Sequence, residues 1–167
     1  MYCFCSVAYS LCSIFKNPCW RVLQKELNLF FLPLHMTATE VFKKLRLDPT
    51  KALLIVHAPP EFSSLLAGIS YDTQFDEGKE GTYDFVQVFA THQSDLEKRC
   101  VEVGKAGKYD GLFWACYPKG TGKIKSDIKR ETVWKALELI GLQTVTQIAI
   151  DKTWSALRAR PVERVGK

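Results

Sequence analysis

The sequence predicts a three-layer α/β domain, in which a mostly parallel sheet carries helices on both faces and ends in an antiparallel C-terminal hairpin. Three observations predict it. Strand-like apolar runs alternate with helical patterns from residue 52 onward, which implies right-handed crossovers onto one shared sheet. The runs at 52–57 and 111–117 are almost continuously apolar, as expected of strands covered on both faces. The polar corner at 151–154 joins two strand patterns and is too short for a crossover, so the last two strands must run antiparallel.

Composition sets the outer bounds. A chain of 167 residues with 47% hydrophobic and 25% charged residues suits one soluble domain with a full core. The net charge of +5 mildly favours anionic partners. Residues 1–36 differ from the rest: 2–15 are apolar or small, and Lys16, Pro18 and Arg21 then interrupt. No basic stretch precedes that run, as a secretory leader requires, and Lys16-Asn17-Pro18 cuts it short of the about 20 apolar residues of a membrane span. Met36 precedes Thr37-Ala38-Thr39-Glu40, so the reading is a dispensable extension over 1–36 and a single α/β domain over 37–167, with a weak membrane or targeting segment as the rival for the extension. No membrane partner is expected for 37–167. The six cysteines offer neither the paired spacing of a zinc site nor a disulfide framework, so no metal is expected and the cytoplasm is the default location.

The elements follow in order. Residues 39–45 form a short amphipathic helix with Val41, Phe42 and Leu45 on one face, ending before Pro49. After the strand at 52–57, Pro59-Pro60-Glu61 opens a helix that Gly68 stops, since proline is tolerated in a first turn. Ile69, Tyr71, Thr73 and Phe75 alternate with polar residues and suggest an edge strand, and 76–82 is a charged, glycine-containing loop. Residues 83–90 form a strand, and Ser94 with Glu97 reads as a capping box for a helix reaching Gly104. Val133, Trp134, Leu137 and Ile140 share one face of a further helix that Gly141 ends. Strands at 145–150 and 155–160 complete the chain, with Trp134 and Trp154 expected in the core. Arg158 and Arg160 project from one sheet face, where Asp84, Asp127 or Asp151 could pair with them.

Chemistry is sparser. Ligands of open parallel sheets gather at the carboxyl ends of the strands, and His57, Thr91, Lys119 and Asp151 fall there, with Trp154 and Ser155 facing the same rim. The loop Tyr117-Pro118-Lys119-Gly120-Thr121-Gly122-Lys123-Ile124-Lys125 lies between strand and helix, where phosphate-cradling loops belong. It lacks the first glycine of the nucleotide-hydrolase pattern, where Tyr117 stands, and the magnesium-holding hydroxyl, where Ile124 stands. What remains is convergent positive charge: Lys119, Lys123, Lys125, Lys129 and Arg130 against Asp127. The candidate ligand-binding set is therefore His57, Lys119, Lys123, Lys125, Asp151, Trp154 and Ser155, for a small anionic ligand. No spacing specifies a catalytic triad, and no catalytic residue is assigned.

The closing hairpin resembles that of Rossmann-like methyltransferases, over roughly 52–161. Ala58-Pro59, Asp84-Phe85, Tyr117-Pro118-Lys119 and Asp151-x-Thr153-Trp154-Ser155-Ala156-Leu157-Arg158-x-Arg160-Pro161 carry a closer likeness: in them the chain resembles a bacterial family of short methyltransferase-like domains with no assigned activity. The resemblance implies a truncated methyltransferase-like topology. It does not imply cofactor binding in the usual mode, because His57-Ala58-Pro59-Pro60-Glu61 stands where active enzymes have a glycine-rich turn, and its prolines remove two amide donors. Asp72 and Asp76 lie near the place of the ribose-holding acid, but neither cleanly ends a strand. No cofactor is expected. The favoured reading is a non-catalytic methyltransferase-like module that binds a small anion. The alternatives are a degenerate methyltransferase or other transferase using Lys119 and Asp151, and a nucleic-acid or protein interaction domain using 119–130.

Overall fold

The computed structural model describes residues 37–166, and the extension expected over 1–36 lies outside them. The elements are α1 (Ala38–Leu45), β1 (Leu53–Val56), α2 (Pro60–Leu65), β2 (Tyr83–Phe89), α3 (Gln93–Val103), β3 (Gly107–Pro118), α4 (Arg130–Glu138), β4 (Leu142–Ala149) and β5 (Trp154–Pro161). Short 3-10 turns occupy Glu77–Lys79 and Val162–Arg164. The strands form one sheet in the order β1-β2-β3-β5-β4. β1 pairs with β2 and β2 with β3 in parallel, whereas β5 is antiparallel to both β3 and β4. The sheet is thus mixed rather than mostly parallel. One returning strand wedged between β3 and β4 reverses the sense of both pairings it makes.

Helices cover both faces. Leu96, Cys100 and Val103 of α3 and Val133, Ala136 and Leu137 of α4 pack on one side with Val86, Val88, Ala115 and Leu157. Val41 and Leu45 of α1 and Phe62 of α2 pack on the other with Ile55, Phe85, Phe89, Trp114 and Trp154. Every residue of β1 is buried although β1 is an edge in the strand order. Its outer flank is covered by residue 72: Ile55 N donates to the Asp72 carbonyl and Asp72 N to the Leu53 carbonyl, each at 2.9 Å. The edge strand expected over 69–75 shrinks to this one bridge, because Asp72 then turns its carboxylate to Lys79 and Tyr83.

Two further expectations are corrected. The amino terminus of α3 is not capped by Ser94; the backbone N–H of Gln93 donates to Asp127 Oδ1 at 2.8 Å, from the segment ahead of α4. Trp134 is not a core residue. It is 41% exposed, with the Arg130 guanidinium 5.5 Å from its ring centre. The other half of the helix-face reading holds, since Val133 and Leu137 are fully buried.

β3 starts four residues before the expected strand and carries an irregularity. The step from Tyr83 to Phe85 on β2 is matched by the step from Gly107 to Leu112 on β3. Asp110 takes a left-handed conformation there (φ 59°), a region aspartate tolerates better than most residues. Gly111 follows, and a Cβ at that position would meet the Lys108 carbonyl at 2.9 Å, so the bulge requires glycine.

Candidate functional site

The carboxyl ends of β1, β2 and β3, the end of β4 and the start of β5 lie along one edge of the sheet, as the pairing registers require. Lys119 and Asp151 meet there. The Lys119 N–H donates to the Thr153 carbonyl at 2.7 Å, and the Lys119 ammonium donates to the Asp151 carbonyl. The Asp151 carboxylate accepts the N–H groups of Thr153 and Trp154, both at 2.6 Å. This is an Asx-type turn, in which a short acidic side chain satisfies the backbone of a tight corner. The β4–β5 corner and the loop after β3 are thereby tied together, and both charged groups of that knot are already engaged.

The other candidates separate. Trp154 is buried on the α1–α2 side, where its ring meets Phe89 edge-on at 5.2 Å. Ser155, next along the strand, faces the opposite layer and is 5% exposed between Tyr117 and Ala149. His57 is exposed at the end of β1, two strands from β3, roughly 10 Å away at ordinary strand spacing. Lys123 and Lys125 are exposed on the loop. What the rim presents to solvent is therefore His57, Thr91 and the ammonium groups of that loop, while Trp154 and Ser155 serve packing.

His57 adopts a left-handed conformation (φ 55°) in the turn after β1. A turn of that shape is ordinarily built with glycine, so here the left-handed geometry is made by a residue that carries a side chain. Pro59 and Pro60 follow, the first as the helix cap without a side-chain hydrogen bond and the second inside α2. Asp72 is also committed. Hydrogen bonds from Lys79 and Tyr83 hold its carboxyl below the ordinary carboxylate range.

Electrostatic shifts elsewhere mark structural groups. Burial pushes the Cys100 thiol up to about 12 and the Cys116 thiol higher still, so neither is a thiolate nucleophile near neutral pH. Gln87 is fully buried in the centre of β2; its amide nitrogen donates to Cys116 Sγ at 3.1 Å, and its Oε1 has no partner. Arg160 forms a two-pronged pair with Asp110, Nε to Oδ1 at 2.8 Å and Nη2 to Oδ2 at 2.7 Å. None of the three carboxylates expected for the arginines serves. Asp84 pairs with Lys108, Asp127 caps α3 and Asp151 holds the corner. Sequence reasoning missed Asp110 because its partner lies 50 positions away; Asp-Gly inside a strand run was the available signal of a bulge.

Among the described residues no helix is long and apolar enough to cross a membrane. No protein-family profile matches the chain, and no curated protein matches its sequence. Solved structures do resemble it. A SAM-dependent methyltransferase of Aquifex aeolicus superposes with a TM-score of 0.55 at 14% identity, covering 81% of this chain and 96% of that one. A protein of Galdieria sulphuraria, provisionally assigned as a sarcosine dimethylglycine methyltransferase, superposes with a TM-score of 0.51 at 10% identity, covering 81% of this chain and 87% of that one. At such identities the likeness is one of fold. The chain has a five-stranded mixed sheet of the Rossmann-like methyltransferase type.

Proposed function

We propose that this chain is a non-catalytic binding module built on the methyltransferase fold, and that its carboxyl-edge rim takes a small anionic ligand through the loop after β3. The observation that carries the reading is the turn after β1. In enzymes of this fold the cofactor approaches backbone at that turn, but here it presents an exposed His57 side chain and two prolines without amide donors. The acid that could hold a ribose, Asp72, is bound to Lys79 and Tyr83 instead. Positive charge on the rim comes from Lys123 and Lys125, on a loop anchored through Lys119.

Calorimetric titration at fixed ionic strength with adenosylmethionine, inorganic polyphosphate and a single-stranded oligonucleotide tests this. The expected result is no heat with adenosylmethionine, binding of polyphosphate, and a loss of about two- to fivefold in affinity for each of K123A and K125A. Tight binding of adenosylmethionine would return the chain to the degenerate-methyltransferase reading. Oligonucleotide binding with a steep salt dependence would instead favour a nucleic-acid interaction domain.

A further inference from the structure

Arg158 sits in the middle of β5, opposite Trp114 of β3 and Thr146 of β4. Residues directly opposed in neighbouring strands share a face, so its side chain leaves the sheet on the side of Trp114, which α1 covers. The Trp114 indole N–H donates to the Leu45 carbonyl at 3.1 Å, which fixes the last turn of α1 above β3. The next residue is Arg46, exposed and held in a left-handed conformation (φ 56°) as the helix cap. Register and hydrogen bond together bring Arg46 alongside Arg158. Among the described residues neither guanidinium has a carboxylate partner, and Arg158 Nε is buried without a hydrogen bond.

The surrounding charge is lopsided. Burial first, and then the charges of Arg46 and Arg160, lower the hold of Arg158 on its proton. Asp110 is the carboxylate that reaches it, yet both Asp110 oxygens are taken by Arg160, and Arg164 Nε lies 3.5 Å from one of them. Asp110 is thus divided between Arg160 and Arg164 and has no oxygen left for Arg158. An unpaired donor in a half-buried site is costly unless something accepts from it.

We propose that Arg46 and Arg158 form a binding site for a phosphate group, supplied as inorganic phosphate or as a small phosphate monoester. The site is separate from the rim, because Arg158 lies four residues along β5 from Trp154, roughly 13 Å by strand rise. Guanidinium forks match phosphate oxygens in two-pronged pairs. A phosphate dianion also balances both uncompensated charges, where a carboxylate would balance one. A purely structural role exists as the rival, in which Arg158 answers the negative carboxyl end of α1.

The full-length chain is titrated with inorganic phosphate, with glycerol 3-phosphate and with sodium chloride at matched ionic strength, followed by calorimetry and thermal unfolding. R158M and R46N are compared with K98A, an exposed site on α3 across the sheet; asparagine suits the left-handed position of Arg46. The expected result is phosphate binding that chloride does not mimic, weakened about tenfold or more in R158M and in R46N and unchanged in K98A. The stronger of the two phosphate ligands identifies the source. An equal response to chloride, or an R46N chain that binds phosphate as well as the unaltered one, overturns the proposal. So does an R158M chain whose unfolding midpoint falls by the same amount with and without phosphate, which is the signature of the structural role.

Discussion

Asp110 shows what one side chain does in this domain. Set on the bulge of β3, it takes the Arg160 fork and lies beside Arg164, and the Arg160 hydrogen bonds hold its carboxyl below the ordinary 3.8. A carboxylate whose native pKa is depressed stabilises the fold above its unfolded value and ceases to do so as pH falls through the native one. D110N keeps a residue suited to φ 59° and removes only the charge. Its unfolding midpoint is expected below that of the unaltered chain at neutral pH, with the gap closing as the pH drops through and below 3.8. A constant gap across that titration would show that the charge is not what Asp110 contributes. Gln87 makes the opposite case. Its buried Oε1 lacks a donor and its amide nitrogen has only the weak acceptor Cys116 Sγ, so an unbranched apolar side chain of similar shape loses little there and removes an unsatisfied group. Chemical denaturation of Q87M should give equal or greater stability, and a loss beyond about 1 kcal/mol would contradict this.

At the scale of the element, two helix and strand ends are set by residues outside the local pattern. α3 begins where Asp127 accepts the Gln93 N–H, so D127A is expected to cost about 1 kcal/mol, as the loss of a cap does, while S94A leaves stability unchanged. Urea melts of both variants decide between this long-range cap and the local capping box that Ser94 and Glu97 suggested. The turn after β1 depends on His57 holding φ 55°. A β-branched residue is poorly suited to that region, so H57V is expected to lose about 1–2 kcal/mol, whereas H57G loses little or gains. Equal stability in the two variants would mean that the turn relaxes to another shape. If the rim binds its ligand through this turn, affinity should follow the side chain and not the backbone, so H57G weakens binding without unfolding.

For the whole molecule, the strand order decides where stability resides. β2 and β3 are interior, with helices on both faces, and β2 is buried along nearly its full length. β4 is the open edge, and every one of its residues is partly or fully exposed. Amide exchange under native conditions should therefore be slowest in β2 and β3 and fastest among the strands in β4. Comparable protection in β4 would indicate that its edge is covered in solution. Such an edge offers unpaired N–H and C=O groups, which is why its bulge between Thr144 and Thr146 matters against strand-to-strand association.

Much of this architecture was legible in the chain because it rests on local rules. The apolar run ending at Val56, the alternation of helices and strands, and the short polar corner at 151–154 each constrain the backbone nearby, and together they require layered helices and a reversed final strand. The gathering of Lys119 and Asp151 at one edge followed from the same rules. What those two groups do there did not follow: hydrogen-bond geometry turns both inward to hold a corner. Long-range pairing was equally silent in the sequence. Asp110 finds Arg160, Asp127 caps a helix more than 30 residues earlier, Trp134 faces solvent and Arg46 comes to lie beside Arg158 only because strand register and helix placement bring them together. Periodicity reports which face of an element is apolar; only the packed structure settles which polar groups on the remaining surface meet, since that depends on distances between segments that no local pattern encodes.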